Sequence, residues 1–207
     1  MGSDADFDRA VQLLDECISQ CGDEIEDHVT NTDDPTQVIG YLAKHGEWVY
    51  EASGNPGTKQ FEVRFDFNIP ANIANVFSEE EARELVPDPD SVPQEEMGHR
   101  AGIAVMEKMD DDLQSEFQYH LISEINDTDT AFNLFYTDGG GISGFTTSRR
   151  LYPMDESFSQ TEFSHSRQAV INAGLRGIQF VANSFDFEAM VDELAATESE
   201  SPPRYIQ

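Results

Sequence analysis

Five apolar residues at every second position, Phe61, Val63, Phe65, Phe67 and Ile69, alternate with Glu62, Arg64, Asp66 and Asn68. A period of two describes a strand with one buried face. "EWVYEA" upstream reads as its hairpin partner, with "SGNPGT" as the turn. "NIANVF" downstream reads as a third, weaker strand. Residues 5 to 25 follow a different period. Phe7, Val11, Leu14, Ile18, Cys21 and Ile25 are spaced four and three apart, one stripe of an α-helix. "EDHVTNTDD" then reads as a polar linker. Asp34 and Pro35 suit the cap and first position of a short helix, "TQVIGYLAKHG", stopped by Gly46.

The second half repeats these signals. Ser78 with Glu81 is a capping box before "EEEARELV". From Pro93 to about Ser123 the stripe Ile103, Met106, Met109, Leu113, Phe117 and Leu121 predicts one long helix. "TAFNLFY", "TDGGG" and "ISGFTTSRRLY" predict a second hairpin. Ser159 with Glu162 caps a last long helix. The expected order is α-α-β-β-(β)-α-α-β-β-α. That is an α+β fold, with an antiparallel sheet of about five strands from two hairpins covered by long helices. The Phe61–Phe67 face should pack under those helices. Three segments are expected: an N-terminal helix and linker at 1–30, the α+β domain at 31–186 and an acidic, disordered tail at 187–207.

This order of a helix ending "YLAKHG", "EWVYEA", a Phe-rich hairpin, a long helix, "FNLFYTDGGGISGFTTSRRLY" and the capped "FSQTEFSHSRQAVINAGLRGI" resembles the type III secretion chaperone-like fold. That group includes the YbjN-type proteins and small archaeal proteins of unknown function. The resemblance covers about residues 35 to 185. It implies a small α+β domain, often dimeric, that binds other proteins without catalysis. It assigns no site residues and no cofactor.

Charge changes the picture most. Asp and Glu number 41 against 12 Lys and Arg, a net charge of −29. With 14 Phe, 6 Tyr and clear periodicity, the chain is not the low-aromatic kind that stays disordered. At 1 M salt the Debye length is about 3 Å, so such a surface is screened there. The three lysines, Lys44, Lys59 and Lys108, add to a composition that resembles haloarchaeal cytoplasmic proteins. A phosphate backbone would be repelled, so nucleic acid is an unexpected partner. No run of 18 apolar residues suggests a membrane span, and "MGSDADFDRA" lacks the pattern of a secretory signal. A cytoplasmic setting is the expectation. Cys17 and Cys21 read as small buried thiols.

Two sets of residues could carry function. Residues 139–184 hold Arg149, Arg150, Arg167 and Arg176 against Asp155, Glu156 and Glu162, a net of +1 in a chain of −29. Such a segment should be covered, either by its own fold or by a partner, or else Arg149 and Arg150 contact an anion or nucleic acid. Arg149, Arg150, Arg167, Gly174 and Gly177 are the candidate contact residues of a protein partner or homodimer. A bulky residue at Gly174 should then disturb a dimer more than the fold. The alternative is a metal-dependent enzyme. Glu96 and His99 have E-x-x-H spacing, and Glu116, His120 and Glu124 share a face of the same expected helix. "MDDDL", Asp110 to Asp112, could also hold a cation, although solvated helix carboxylates explain all of these. Neither "GNPG" nor "DGGG" has a phosphate-loop layout.

Overall fold

The computed structural model describes residues 4–31, 38–74, 77–127 and 129–184. The elements run α1 (Asp4–Gln20), β1 (Glu24–Asn31), β2 (Val38–His45), β3 (Trp48–Asn55), β4 (Gln60–Asn68), α2 (Ile69–Ile73), α3 (Glu79–Leu85), α4 (Met97–Lys108), α5 (Asp111–Ile125), β5 (Ala131–Tyr136), β6 (Ile142–Leu151) and α6 (Gln160–Ser184). The fold is α+β, with a six-stranded antiparallel sheet in the order β1-β2-β3-β4-β6-β5. By internal contacts the chain forms two compact units. One comprises residues 1–66, 126–132 and 146–174, the other 67–125, 133–145 and 175–207.

In the first unit, the stripe of α1 buries Phe7, Leu14 and Ile18. The helix stops earlier than its stripe suggests. Gly22, at φ +75°, closes it, with Asp23 N–H on the Ile18 carbonyl and Gly22 N–H on that of Ser19. That pairing is the glycine-closed helix terminus, in which only glycine takes the left-handed backbone freely. Ile25 therefore belongs to β1. Over its described residues, 26–31, the expected linker is part of strand β1, whose alternation a bulge between Ile25 and Asp27 hides. Ile25 lies opposite Ala43, and Val29 opposite Gly40.

Over residues 38–45 the expected short helix is strand β2. Tyr41 and Ala43 are buried in alternation, and the strand pairs with β1 and β3 along its length. Gly46, read as a helix stop, is instead the first residue of a two-residue hairpin turn at φ +63°. A glycine at that backbone angle serves both purposes, so the signal alone does not choose. The sheet thus has six strands rather than about five. The proposed capping pair Asp34 and Pro35 and the tail at 187–207 lie outside the described residues.

The alternating strand behaves as expected. Phe61, Val63, Phe65 and Ile69 are buried. Phe61 stacks on Phe7 of α1 at 4.9 Å between centroids, and Trp48 meets Phe65 edge-on at 6.3 Å. On the opposite face, Arg64 pairs with Glu51 at 2.9 Å and with Asp66 at 3.0 Å.

In the second unit, Asn72 and Ile73, the start of "NIANVF", belong to helix α2 rather than to a strand. Asn68 caps α2, accepting from Ala71 N–H at 2.8 Å, and Pro70 follows in the first turn. The Ser78–Glu81 capping box forms in both directions. A core of Ala82, Leu85, Val86, Met97, Ala101 and Val105 packs α3 on α4. The single helix expected over 93–123 is broken. Met109 is extended, and Asp110 caps α5 by accepting from Leu113 N–H at 2.8 Å. Asp111 and Asp112 then occupy the first turn of α5, where the helix dipole favours carboxylates. The "MDDDL" run is a helix start.

The stacked pair gives a direct test. Phe61→Ala should cost about 3–5 kcal/mol of unfolding free energy. Chemical denaturation in high salt checks this, and a cost under about 1 kcal/mol, well below that of a buried ring, would remove Phe61 from the core.

Candidate functional site

Arg167 sits on the apolar stripe of α6 that carries Phe163 and Val170, and its side chain is 6 % exposed. A buried guanidinium in such a stripe needs a buried acceptor. The acceptor is Asp23, placed by the glycine-closed end of α1. The Asp23 side chain is 1 % exposed. One of its oxygens accepts from Arg167 and from the Tyr50 hydroxyl, at 2.6 Å for the latter. The other lies 2.8 Å from His45 Nδ1. Burial opposes the charge on Asp23. The hydrogen bonds from Tyr50, Arg167 and His45 outweigh it and hold the carboxyl below its usual range. Burial, and then Asp23, push the Tyr50 phenol far above its usual value. This four-residue cluster joins the end of α1, the β2–β3 hairpin and α6 within the first unit.

The two glycines of the candidate contact set are also turned inward. A side chain at Gly174 would fall against the Phe65 ring. At Gly177 a Cβ would meet Phe145 at 2.5 Å and Ile125 at 2.6 Å. Each glycine lets α6 approach its own unit's core. A substitution at Gly174 therefore strikes the fold itself. Arg149 and Arg150 are more open. Arg149 lies 4.0 Å from Asp129, and Arg150 is exposed, with its charge felt by Glu62. As strand neighbours they point to opposite faces, so they cannot clamp one anion together.

The metal-ligating candidates do not converge. Glu96 and His99 line different surface depressions of about 500 and 480 Å³. Glu96 lies 3.7 Å from Arg100, and Glu116 3.8 Å from His120, both as helical neighbours. Among the described residues, no three of His, Cys, Asp and Glu form a group that could hold a metal ion. Cys17 is buried, and burial, with Cys21 and Glu16 adding, pushes its thiol to about 11.

Sequence reasoning found Arg167 but missed Asp23, Tyr50 and His45. The one usable signal was an arginine in a core stripe. It also missed the strongest surface feature. The outermost strand β5, "AFNLFY", has six residues and no charge, with Phe135 and Tyr136 42 % and 51 % exposed. The opposite outermost strand, β1, carries Glu24, Glu26 and Asp27 and a bulge. Tyr119 and Tyr152, 71 % and 54 % exposed, lie elsewhere on the surface.

No family model matches the chain, and no curated protein matches it in sequence. Among solved structures, it is similar to an uncharacterized protein from Methanothermobacter thermautotrophicus. The TM-score is 0.53 at 10 % identity, over 85 % of this chain and 99 % of that one. That likeness is one of fold. Among the described residues, no helix is long and apolar enough to cross a membrane.

Two outcomes follow from the buried cluster and its neighbours. Asp23→Asn leaves a buried arginine without its counter-charge and should cost about 3–5 kcal/mol at neutral pH. The double change Asp23→Leu with Arg167→Met should cost less than either single change. Because the folded pKa of Asp23 is depressed, the stability it adds is full above about pH 5. It fades as pH falls through the folded value, so the gap between wild type and Asp23→Asn should close in acid. Denaturation curves from neutral pH down into strong acid measure it, and a gap independent of pH would remove the charge from the account. Gly174→Ala should lower unfolding free energy by about 1–3 kcal/mol through overpacking. Light scattering should find its oligomeric mass unchanged, and a changed mass with unchanged stability would return Gly174 to an interface.

Proposed function

We propose that this chain is a non-enzymatic, homodimeric protein-binding module of chaperone-like kind, working in a salt-rich cytoplasm. The observation that carries the reading is the set of exposed aromatics, Tyr119, Phe135, Tyr136 and Tyr152, on a chain of net charge −29. A surface adapted to salt is expected to meet solvent with carboxylates. Aromatic rings are what protein interfaces gather and what hot spots contain. The resemblance to the type III secretion chaperone-like fold supports the same reading, since that group binds proteins without catalysis. The metal-dependent alternative gains no support from the geometry, because among the described residues no three of His, Cys, Asp and Glu form a group that could hold a metal ion.

Sedimentation equilibrium in about 2 M KCl, where a charged surface is well screened, tests the reading. The expected result is a dimer that weakens when one or more of Tyr119, Phe135 and Tyr152 is changed to Ser. A chain that stays monomeric at every concentration would contradict the homodimer. A dimer indifferent to all three changes would place its interface away from Tyr119, Phe135 and Tyr152.

A further inference from the structure

The two ends of the sheet are built differently. A free strand edge offers unpaired N–H and C=O groups to any other strand, and proteins block such edges with charge or bulges. β1 has both devices: Glu24, Glu26 and Asp27, and the irregularity between Ile25 and Asp27. β5 has neither. Ala131, Phe132, Asn133, Leu134, Phe135 and Tyr136 are uncharged, and among the described residues no strand lies beyond β5 in the sheet.

Charge also says what fits there. A basic strand would be drawn to the acidic edge at β1, not to the neutral one. A second copy of this chain carries −29 itself and is repelled by acidic surface. The neutral strip adds no carboxylate of its own to that repulsion. Self-pairing of β5 in antiparallel register can be centred on Asn133, between Asn133 and Leu134, or on Leu134. Centred on Asn133, it sets Phe132 opposite the partner's Leu134 and Ala131 opposite the partner's Phe135, with no aromatic pair. Centred between Asn133 and Leu134, it sets Asp129 opposite Asp138 of the partner subunit, and like charges directly opposite are destabilising. Centred on Leu134, it sets Phe132 opposite the partner's Tyr136 and Asn133 opposite the partner's Phe135. Asp138 then meets the partner's Thr130. That register brings an aromatic pair together on each side of the axis and opposes no two acids.

We infer that β5 is the docking edge for a second copy of this chain, paired antiparallel with Leu134 on the two-fold axis. The inference rests on the protein-binding reading above and names its partner and contact strand. Opposed residues of an antiparallel pair lie about 4.5–5.5 Å apart at Cα, within disulfide range.

Leu134→Cys, with Val29→Cys as the control at the other edge, is oxidised in about 2 M KCl and run unreduced beside the parent chain with Cys17 and Cys21. Asn133→Lys, at a position whose native side chain is exposed, is weighed by light scattering with circular dichroism as the check on folding. The expected result is a covalent dimer from Leu134→Cys alone, and self-association weakened about tenfold or more by Asn133→Lys with the dichroism unchanged. A native dimer that persists in Asn133→Lys, with no cross-link formed by the Leu134→Cys variant, would overturn the β5 edge and leave the protein-binding reading standing. A native monomer at every concentration would overturn the second copy as occupant along with the homodimer.

Discussion

Asp23 brings a negative charge into the interior of its unit, and three elements are arranged around it. The end of α1 supplies the carboxylate, the β2–β3 hairpin supplies Tyr50 and His45, and α6 supplies Arg167. Removing two charges from water costs several kcal/mol each unless their geometry and hydrogen bonds compensate. Here both oxygens of the carboxylate are occupied. The pair therefore fixes how the helices meet the hairpin in this unit more than it adds to stability. The Phe7–Phe61 stack supplies apolar burial between α1 and the same sheet.

Around that interior the chain is acidic. In a protein of −29, the positions that escape acidity are the informative ones. Part of the acid-poor stretch at 139–184 is taken up by the fold: Arg167 by Asp23, Gly174 by Phe65, and Gly177 by Phe145 and Ile125. What stays outside is a neutral strand with exposed rings at one end of the sheet, opposite a strand blunted by acids and a bulge. Fold and surface thus use the same scarcity of charge for two purposes.

The sequence made the strongly periodic parts legible. The alternation from Phe61 to Phe65, both hairpins, the capping box at Ser78 and the first turns of the α1 stripe read correctly, because burial on one face imposes a period. The failures share a cause. β1 lost its period to a bulge, and β2 was read as a helix because Gly46 suits a helix stop and a hairpin turn alike. The break at Met109 was hidden because the apolar stripe continues across it while Asp110 starts a new helix. The buried cluster was legible from one side only. Arg167 stood out only as one arginine of an acid-poor segment, whereas its partner is 144 residues away and follows a glycine turn with no pattern of its own. The neutral edge needed the strand order, which no local pattern contains.

Amide hydrogen exchange across a protein dilution series, in about 2 M KCl where charge is screened, is the most direct measurement. The account predicts that amides of residues 131–136 become more protected as concentration rises, while those of β1 stay constant. Constant exchange in β5, or protection that grows in β1 instead, would contradict it.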